Sequence, residues 1–213
     1  SKNAVIIVLC NNQKGQTLSV MSKDSIVLNN CINRNVVAKD KVKNNILQIC
    51  YISNISREKG TLDLIKSVQN RADIRLIIAG NFLSEKEDFL ELVGQCDNIS
   101  YAGFADEEVK REIFESSDVF CLPSKLEEGG PISIIEAMSY GLPIIASDKG
   151  CIADMIDGLG YVLPKDYNSS DIIDGIEFIK NNYDTLSVNA MKKYQQNYLQ
   201  ERFIGNLENI LKG

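Results

Sequence analysis

The sequence predicts an α/β fold in which a doubly wound parallel sheet is covered by helices on both faces and is followed by a helical carboxy-terminal segment. Apolar runs of strand length alternate with segments whose apolar residues recur at helical spacing. The apolar runs are continuous, which is typical of strands that are buried on both faces of a parallel sheet. From about residue 169 onward the pattern is helical throughout.

The expected elements alternate along the chain. Strands are predicted at residues 45–53, 74–80, 99–103, 118–123, 142–147 and 160–164. Helices are predicted between them at residues 59–70, 84–96 and 106–117, and the last two are expected to begin at the N-caps Ser84 and Asp106. Doubly wound sheets bind ligands at the carboxyl ends of their strands, so the loops at those ends should carry the site.

The composition excludes several classes of function. The 213 residues carry a net charge of −6 without a basic run, so nucleic acid is not an expected partner. Histidine is absent, which excludes histidine-based catalysis and histidine metal sites. No Asp-x-Asp pair is present to hold a divalent metal on a phosphate donor. We therefore expect neither a metal nor a separate cofactor.

Six cysteines are scattered along the chain without a Cys-x-x-Cys pair. Three of them, Cys10, Cys50 and Cys121, end apolar runs, which favours reduced and mostly buried thiols in a cytosolic protein. The longest apolar run, Ala4–Cys10, has the length of a strand and is far shorter than the ~18 residues that a membrane span requires.

The loop "EEGGP" at residues 127–131 has the composition of an anion site. Gly129 and Gly130 allow the backbone to approach a ligand closely, and Pro131 suits the first position of a helix. The free amides of that helix's first turn would suit a phosphate. Lys59, at the opening of another helix, could supply a compensating cation, although a lysine there is more often simply solvated.

Glu136 is a lone carboxylate in an otherwise apolar helical segment. If the helix begins near Pro131, Glu136 lies in its second turn, on one stripe with Ile132 and Tyr140. A carboxylate at that position suits the two hydroxyls of a ribose, and the alternative is a buried acid paired with a lysine or with backbone amides. Glu128, at the loop tip, could meet the group beyond the phosphates or could be a solvated loop acid.

The segment 122–147, "LPSKLEEGGPISIIEAMSYGLPIIAS", resembles the signature of retaining glycosyltransferases of the GT-B fold, of the family-4 type known as glycosyl transferases group 1. Its core is a pair of glutamates, Glu128 and Glu136, separated by seven residues. The "SREKG" loop at residues 56–60 also falls in the expected order. The resemblance covers about residues 25–163 and implies the carboxy-terminal, Rossmann-like half of such an enzyme, which binds a nucleotide-sugar donor.

The resemblance also implies roles for individual residues. Glu128 would be the catalytic residue beside the donor sugar, Glu136 would bind the ribose and Lys59 the diphosphate, in a retaining transfer that needs no metal. The loops after two strands would lie near the base. The implied donor-binding positions are Asn54, Arg57, Lys59, Gly80, Asn81, Gly103, Phe104, Gly129, Gly130, Pro131, Ile132, Ser133 and Glu136.

The sequence departs from the family pattern in its loops. Asn54 stands where an arginine usually provides a second contact to the diphosphate, and Arg57 lies nearby but out of register. The diphosphate would then be held less tightly, or by Arg57. The loop at 123–128 is one residue longer than the commonest form, so Glu127 competes with Glu128, but only Glu128 keeps the seven-residue gap. Gly150 and Cys151 replace a glycine pair, which we expect to be a mild change.

The resemblance divides the chain unequally. Residues 30–213 would form the donor-binding domain, and residues 1–29 resemble the last strand, helix and strand of an amino-terminal domain that binds the acceptor. The acceptor, a sugar or a lipid-linked sugar, would be held through that missing domain. Residues 4–10 would lack their home sheet, and an unpaired apolar strand favours self-association of this fragment.

The implied activity is sugar transfer to an acceptor hydroxyl in bacterial surface polysaccharide or glycan synthesis, in the cytoplasm or at the inner face of the membrane. Two alternatives remain open from the sequence. One is a regulatory module that binds a nucleotide and catalyses nothing. The other is a GT-B relative such as an epimerase or a phosphorylase, although catalytic histidines would be expected in this half of an epimerase.

Overall fold

The computed structural model describes residues 5–35 and 46–212 and contains two parallel sheets. The small sheet pairs β1 (Ile7–Val8) with β2 (Ile26–Val27). The large sheet contains β3 (Leu47–Ile52), β4 (Ile74–Ala79), β5 (Ile99–Tyr101), β6 (Val119–Leu122), β7 (Ile144–Ser147) and β8 (Gly160–Leu163). All six strands predicted from the apolar runs are therefore confirmed.

The helices lie between and after the strands. They are α1 (Asn11–Met21), α2 (Thr61–Val68), α3 (Lys86–Gly94), α4 (Glu107–Ser116), α5 (Ile132–Ser139), α6 (Ile152–Ile156), α7 (Ser169–Asn197) and α8 (Gln200–Lys212). The predicted helical carboxy-terminal segment is confirmed as α7 and α8, and α7 packs against α2, α5 and β8. In the described part of the chain, no helix is long and apolar enough to cross a membrane.

The large sheet is doubly wound. Its strand order is β5-β4-β3-β6-β7-β8, and every pairing in it is parallel. The chain therefore proceeds outward from β3 in one direction and then returns to build the other half from β6. The order reverses between β3 and β6, and this is the position at which such sheets bind ligands.

The predicted helix starts are correct in one case and wrong in another. Asp106 caps α4 as expected, because its carboxylate accepts hydrogen bonds from the amides of Glu108 and Val109. Ser84 does not cap α3. The N-cap is Glu85, which has a φ of 51°, and the Ser84 hydroxyl donates instead to the Glu85 carboxylate.

The amino-terminal segment forms the strand, helix and strand that the sequence suggested. Within it, Val8 and Leu28 are buried, whereas Val5 and Ile7 are exposed. Within residues 5–35 and 46–212, strand β1 pairs with one strand, β2. Self-association through residues 4–10 remains a prediction that sedimentation with and without residues 1–28 would test. Residue 4, the first of the proposed self-association strand, lies outside the described residues.

The expectation that all six cysteines are reduced is wrong for one pair. Cys10 precedes α1, Cys151 precedes α6, and the two form a disulfide with Cα atoms 5.6 Å apart. Both side chains are buried. The loops that carry them meet in space although 141 positions separate them in the sequence, and a scattered spacing gave no sign of that meeting. The remaining cysteines are thiols, at positions 31, 50, 96 and 121.

Candidate functional site

Two loops meet where the strand order reverses, one after β3 and one after β6. The amide of Lys125 donates to the carbonyl of Glu58 at 2.7 Å and ties the loops together. Gly60 has a φ of 72°, and a Cβ there would lie 2.0 Å from the carbonyl oxygen of Pro123. This close approach therefore requires glycine beside Lys59.

The hydroxyl of Tyr167 supports the same junction by donating to the carbonyl of Pro123 at 2.5 Å. Burial, followed by the charge of Asp63, raises the pKa of Tyr167, so the hydroxyl keeps the proton that it donates.

Lys59 and Glu128 form an ion pair at the centre of this junction. The Lys59 Nζ lies 2.6 Å from Glu128 Oε1, and the two side chains are only 15% and 13% exposed. Ser124 Oγ donates to the same carboxylate oxygen at 2.6 Å. The two residues that the sequence proposed for the diphosphate and for catalysis are thus in direct contact. An entering anion would compete with Glu128 for the lysine.

The backbone of Glu128 is fixed by residues that the sequence analysis regarded as a mild change. Cys151 N–H donates to the Glu128 carbonyl at 2.8 Å. A Cβ on Gly150, whose φ is 60°, would lie 2.3 Å from that carbonyl oxygen. Gly150 and Cys151 therefore position the loop that carries Glu128. Gly150 stands at a position where the family has a glycine pair, and that match was the sequence feature that could have indicated this positioning role.

Helix α5 begins one residue later than predicted. Pro131, with a φ of −58° and a ψ of 123°, is the N-cap rather than the first helical residue, and Ile132 follows as the first. Among the residues that the structure describes, no side chain caps this helix, so the amides at its start are suited to an anion. Gly130 has a φ of 95°, and its carbonyl accepts a hydrogen bond from Asn30 Nδ2 at 2.8 Å. Ser133 lies half-buried in the first turn.

Glu136 is buried in α5 and pairs with a lysine of α4. Its Oε1 lies 3.1 Å from Lys110 Nζ, which also lies 3.1 Å from Glu107. Desolvation alone would lower the pKa of Lys110, but its hydrogen bonds to Glu136 and Glu107 outweigh that effect and raise it. The lysine pairing that the sequence left open is present. In residues 5–35 and 46–212 no hydrogen bond reaches the second oxygen, Oε2.

Lys110 was not among the residues that the sequence proposed. In the sequence, Lys110 is marked only by its position three residues after Glu107 on a predicted helix. Such i, i+3 pairs are common on helix surfaces and do not indicate a site residue. Tyr140, at the end of the Glu136 stripe, contacts Arg34 through its hydroxyl and stacks its ring on Phe114.

The loops predicted to lie near a base are brought together. The amide of Gly80 donates to the Gly103 carbonyl at 2.9 Å, and Gly80 passes so close to Ser53 that a Cβ would lie 1.8 Å from its carbonyl oxygen. Asn81 is exposed, and the ring of Phe104 is 66% exposed. An exposed ring beside two glycine turns could stack on a planar ligand.

Asn54 and Arg57, the two candidates for the second diphosphate contact, bond to different partners in the structure. The carbonyl of Asn54 accepts from Tyr51 Oη at 2.6 Å. The amide of Arg57 donates to Glu85 at 3.1 Å, and its guanidinium, on a side chain that is 63% exposed, lies 3.6 Å from the same carboxylate. Arg57 is therefore paired at the start of α3.

A pocket of about 330 Å³ lies between α1 and the loop that carries Glu128. Among its lining residues are Gln13, Gln16, Glu127, Glu128, Asp148 and Lys165. Asn12, which also lines it, donates through Nδ2 to the Gly150 carbonyl at 2.7 Å and through its amide to Asp154 at 3.1 Å. No site residue was predicted in α1, because nothing in the local sequence indicated that this helix packs beside the loop that carries Glu128.

The described residues 5–35 and 46–212 contain no group of three or more acidic or cysteine side chains that could hold a metal ion. The transfer without a metal that the sequence analysis expected remains a prediction.

Comparison with known sequences gives a consistent family. The family model described as Glycosyl transferases group 1 matches residues 33–198. An uncharacterized glycosyltransferase of Methanocaldococcus jannaschii is 30% identical over 177 residues, which cover 78% of this chain and 43% of that protein. The O-antigen biosynthesis glycosyltransferase WclY of Escherichia coli is 27% identical over 161 residues, covering 74% and 44%. The matched region thus spans less than half the length of these relatives.

Solved structures confirm the fold. Anabaena Alr3699/HepE in complex with UDP and glucose superposes with a TM-score of 0.79 at 18% identity, covering 98% of this chain and 63% of that one. A glycosyltransferase from Rickettsia africae ESF-5 gives a TM-score of 0.82 at 18% identity, covering 99% and 63%. The parallel sheet with its helices is the Rossmann-like architecture found in glycosyltransferase structures.

Proposed function

Because this chain belongs to the family Glycosyl transferases group 1, we propose that it is the carboxy-terminal, nucleotide-sugar-binding half of a retaining glycosyltransferase of the GT-B fold and family-4 type. Residues 30–213 bind the donor, and residues 1–29 belong to the acceptor-binding domain. The observation that carries the proposal is the ion pair of Lys59 and Glu128 at the point where the strand order reverses.

The proposed donor is a nucleotide-diphosphate sugar that lies across the carboxyl ends of β3 and β6. Its diphosphate exchanges places with the Glu128 carboxylate on Lys59 and accepts from the amides at the start of α5. Both are fixed positive partners, and they stabilise the charge that develops on the leaving diphosphate. Asn54 and Arg57 contribute less, since Asn54 is uncharged and Arg57 is paired with Glu85.

The position of the diphosphate sets the positions of the ribose, the base and the sugar. The ribose hydroxyls donate to Glu136, whose Oε2 has no hydrogen bond within the described part of the chain. The base lies against the loops at Gly80–Asn81 and Gly103–Phe104. The Glu128 carboxylate, once released by Lys59, faces the sugar beside the reacting carbon. An acceptor hydroxyl held by the other domain attacks the anomeric carbon from the face of the leaving group while the bond from that carbon to the diphosphate oxygen breaks. The hydroxyl proton passes to the departing diphosphate, and the configuration is retained.

The names of similar proteins support the choice of donor and setting. The Anabaena structure holds UDP and glucose, and the Escherichia coli relative acts in O-antigen biosynthesis. We therefore propose a UDP-linked sugar as the first donor to test, and bacterial surface polysaccharide or glycan synthesis in the cytoplasm, or at the inner membrane face, as the setting. The acceptor is a sugar or a lipid-linked sugar.

The test uses the full-length enzyme and its best donor from a panel of UDP, GDP and ADP sugars. Glu128→Gln is expected to lower turnover at least ~100-fold, because the carboxylate acts on the sugar. It is not expected to weaken binding of the nucleoside diphosphate, because the diphosphate then has no carboxylate to displace from Lys59. If the wild-type protein binds a donor but neither transfers nor hydrolyses it, the chain is a regulatory nucleotide-binding module instead.

A further inference from the structure

The pocket beside Glu128 has the size and polarity of a sugar subsite. Its volume of about 330 Å³ lies at the lower end of the range for small-molecule sites, ~300–1,000 Å³. Carboxamides line it from α1, and carboxylates line it from the loops opposite. Amide N–H groups and carboxylate oxygens pair well with the hydroxyls of a sugar ring, which both donate and accept hydrogen bonds.

Gln13 presents an oriented donor to this pocket. Its Oε1 accepts the amide of Leu9 at 2.8 Å, which fixes the plane of the carboxamide. Its Nε2 then lies 3.8 Å from the position that a Cβ on Gly129 would occupy. Within the described ranges no hydrogen bond engages Nε2. The amino group is thus held at the glycine edge of the pocket, next to the glutamate loop.

The charge of the pocket is negative where a ligand would lie. In the free chain Glu128 is paired with Lys59 at 2.6 Å. Among the lining residues, Glu127 and Asp148 remain against one lysine, Lys165, and the Glu128 carboxylate adds to their charge once the diphosphate has taken its place on Lys59. In the described part of the chain, neither Glu127 nor Asp148 has an ion-pair partner. A ligand carboxylate brought into this space would be repelled by these like charges, whereas the hydroxyl groups of a ligand would find hydrogen-bond acceptors.

We propose that this pocket binds one uncharged sugar ring, that Gln13 orients the ring, and that Glu127 and Asp148 discriminate against anionic sugars such as uronic acids. The inference rests on the proposed function. The ring is either the sugar of the nucleotide donor or the terminal sugar of the acceptor, because both would enter beside Glu128 and both offer the same hydroxyl chemistry.

The donor arm of the test measures binding by calorimetry for UDP, UDP-glucose and UDP-glucuronic acid, or for the corresponding GDP-mannose and GDP-mannuronic acid series if GDP is the base that binds. The wild-type chain is expected to bind the neutral sugar nucleotide more tightly than the anionic one. Glu127→Gln and Asp148→Asn each remove one like charge and are expected to raise the affinity for the anionic sugar nucleotide about fivefold more than the affinity for the neutral one or for the free diphosphate.

Gly129→Ala tests the volume of the pocket without straining the backbone. Gly129 does not have a positive φ, and the nearest atoms to an added Cβ are 3.8 Å away. The methyl group would lie 3.8 Å from Gln13 Nε2, between two residues that line the pocket, and it is expected to weaken binding of the ring about fivefold or more. Gly15→Ala on α1 is the matched control, because nothing lies within 4 Å of its added Cβ, and it should change nothing.

The acceptor arm uses saturation-transfer NMR with methyl glucoside and methyl glucuronide on the chain saturated with nucleoside diphosphate. A signal from the neutral glycoside that Gly129→Ala abolishes, with sugar-nucleotide affinity intact, would assign the ring to the acceptor. If the diphosphate binds normally but the variants alter neither arm, or if the anionic sugar binds as well as the neutral one, this inference is wrong and the proposed function stands. If no nucleotide binds, the proposed function itself fails.

Discussion

Glu136→Gln separates the two roles that the structure leaves to this buried carboxylate. In the wild-type chain Lys110 Nζ lies 3.1 Å from Glu136 Oε1. The substitution preserves the shape of the side chain, removes its charge and leaves one carbonyl oxygen to face Lys110. If Glu136 accepts from the ribose, nucleotide affinity must fall. If it serves only to pair Lys110, the stability of the fold must fall instead.

The magnitudes follow from the contacts. A hydrogen bond to a charged group contributes about 1–3 kcal/mol, so the loss of the carboxylate should weaken nucleotide binding about 5- to 150-fold. The Lys110 side chain is 24% exposed and keeps Glu107 as a second partner, so the variant should lose at most ~1 kcal/mol of unfolding free energy. Binding should thus be affected more strongly than folding.

The assay is a calorimetric titration with the best nucleoside diphosphate, combined with thermal unfolding of the same samples. Lys110→Met isolates the ion pair, and Glu112→Gln, an exposed acid on α4, is the matched charge control. Unchanged nucleotide affinity in Glu136→Gln would refute the ribose role. A loss of stability shared by Glu136→Gln and Lys110→Met, with normal binding in both, would assign Glu136 to the fold alone.

Three further predictions concern stability. Reduction of the Cys10–Cys151 disulfide should lower the midpoint of thermal unfolding by about 5–15 °C, since such a cross-link typically contributes ~2–4 kcal/mol. Cys10→Ser should abolish this response to reductant. An unchanged midpoint after reduction of the wild type would contradict the prediction. Gly60→Ala should cost at least ~2 kcal/mol of unfolding free energy because its Cβ meets a backbone oxygen at 2.0 Å, whereas Gly94→Ala, with open space around it, should cost none. Hydrogen bonds, first from Arg71 and then from Lys180, hold the pKa of Asp73 below its usual value, so the contribution of Asp73 to the unfolding free energy is present above about pH 4 and is lost as the pH falls. Denaturant titrations of Asp73→Asn should therefore show a flatter loss of stability in acid than the wild type. A pH dependence equal to that of the wild type would refute this role.

The sheet and the meeting of the loops at the candidate site could be predicted because both depend on local signals. Continuous apolar runs identified all six strands of the large sheet, and their order of alternation with helices indicated parallel pairing. The glycines and Lys59 lie in loops directly after β3 and β6, so the strand-end rule alone was enough to bring them to one place. Asp106 was a reliable cap because its own side chain makes the capping hydrogen bonds.

The features that the sequence could not indicate depend on contacts between distant segments. Lys110 could not be identified as the partner of Glu136, because the contact between these two side chains joins α4 to α5 and is not encoded in either helix separately. The contact of α1 with the glutamate loop and the joining of Cys10 to Cys151 arise from the same tertiary packing, across 141 positions. Ser84 is not the cap of α3 because Glu85 occupies the N-cap position, and the Ser84 hydroxyl donates a hydrogen bond to the Glu85 carboxylate instead.

The central claim is that Lys59 and the start of α5 hold the diphosphate of a nucleotide sugar. A calorimetric titration of wild type and Lys59→Met with UDP, GDP and ADP, and with the matching nucleosides, tests it most directly. We predict that one diphosphate binds and that Lys59→Met weakens it about 10- to 100-fold while it leaves the weaker binding of the nucleoside unchanged. Equal affinity of both proteins for the diphosphate, or no binding of any nucleotide at millimolar concentration, would contradict the account.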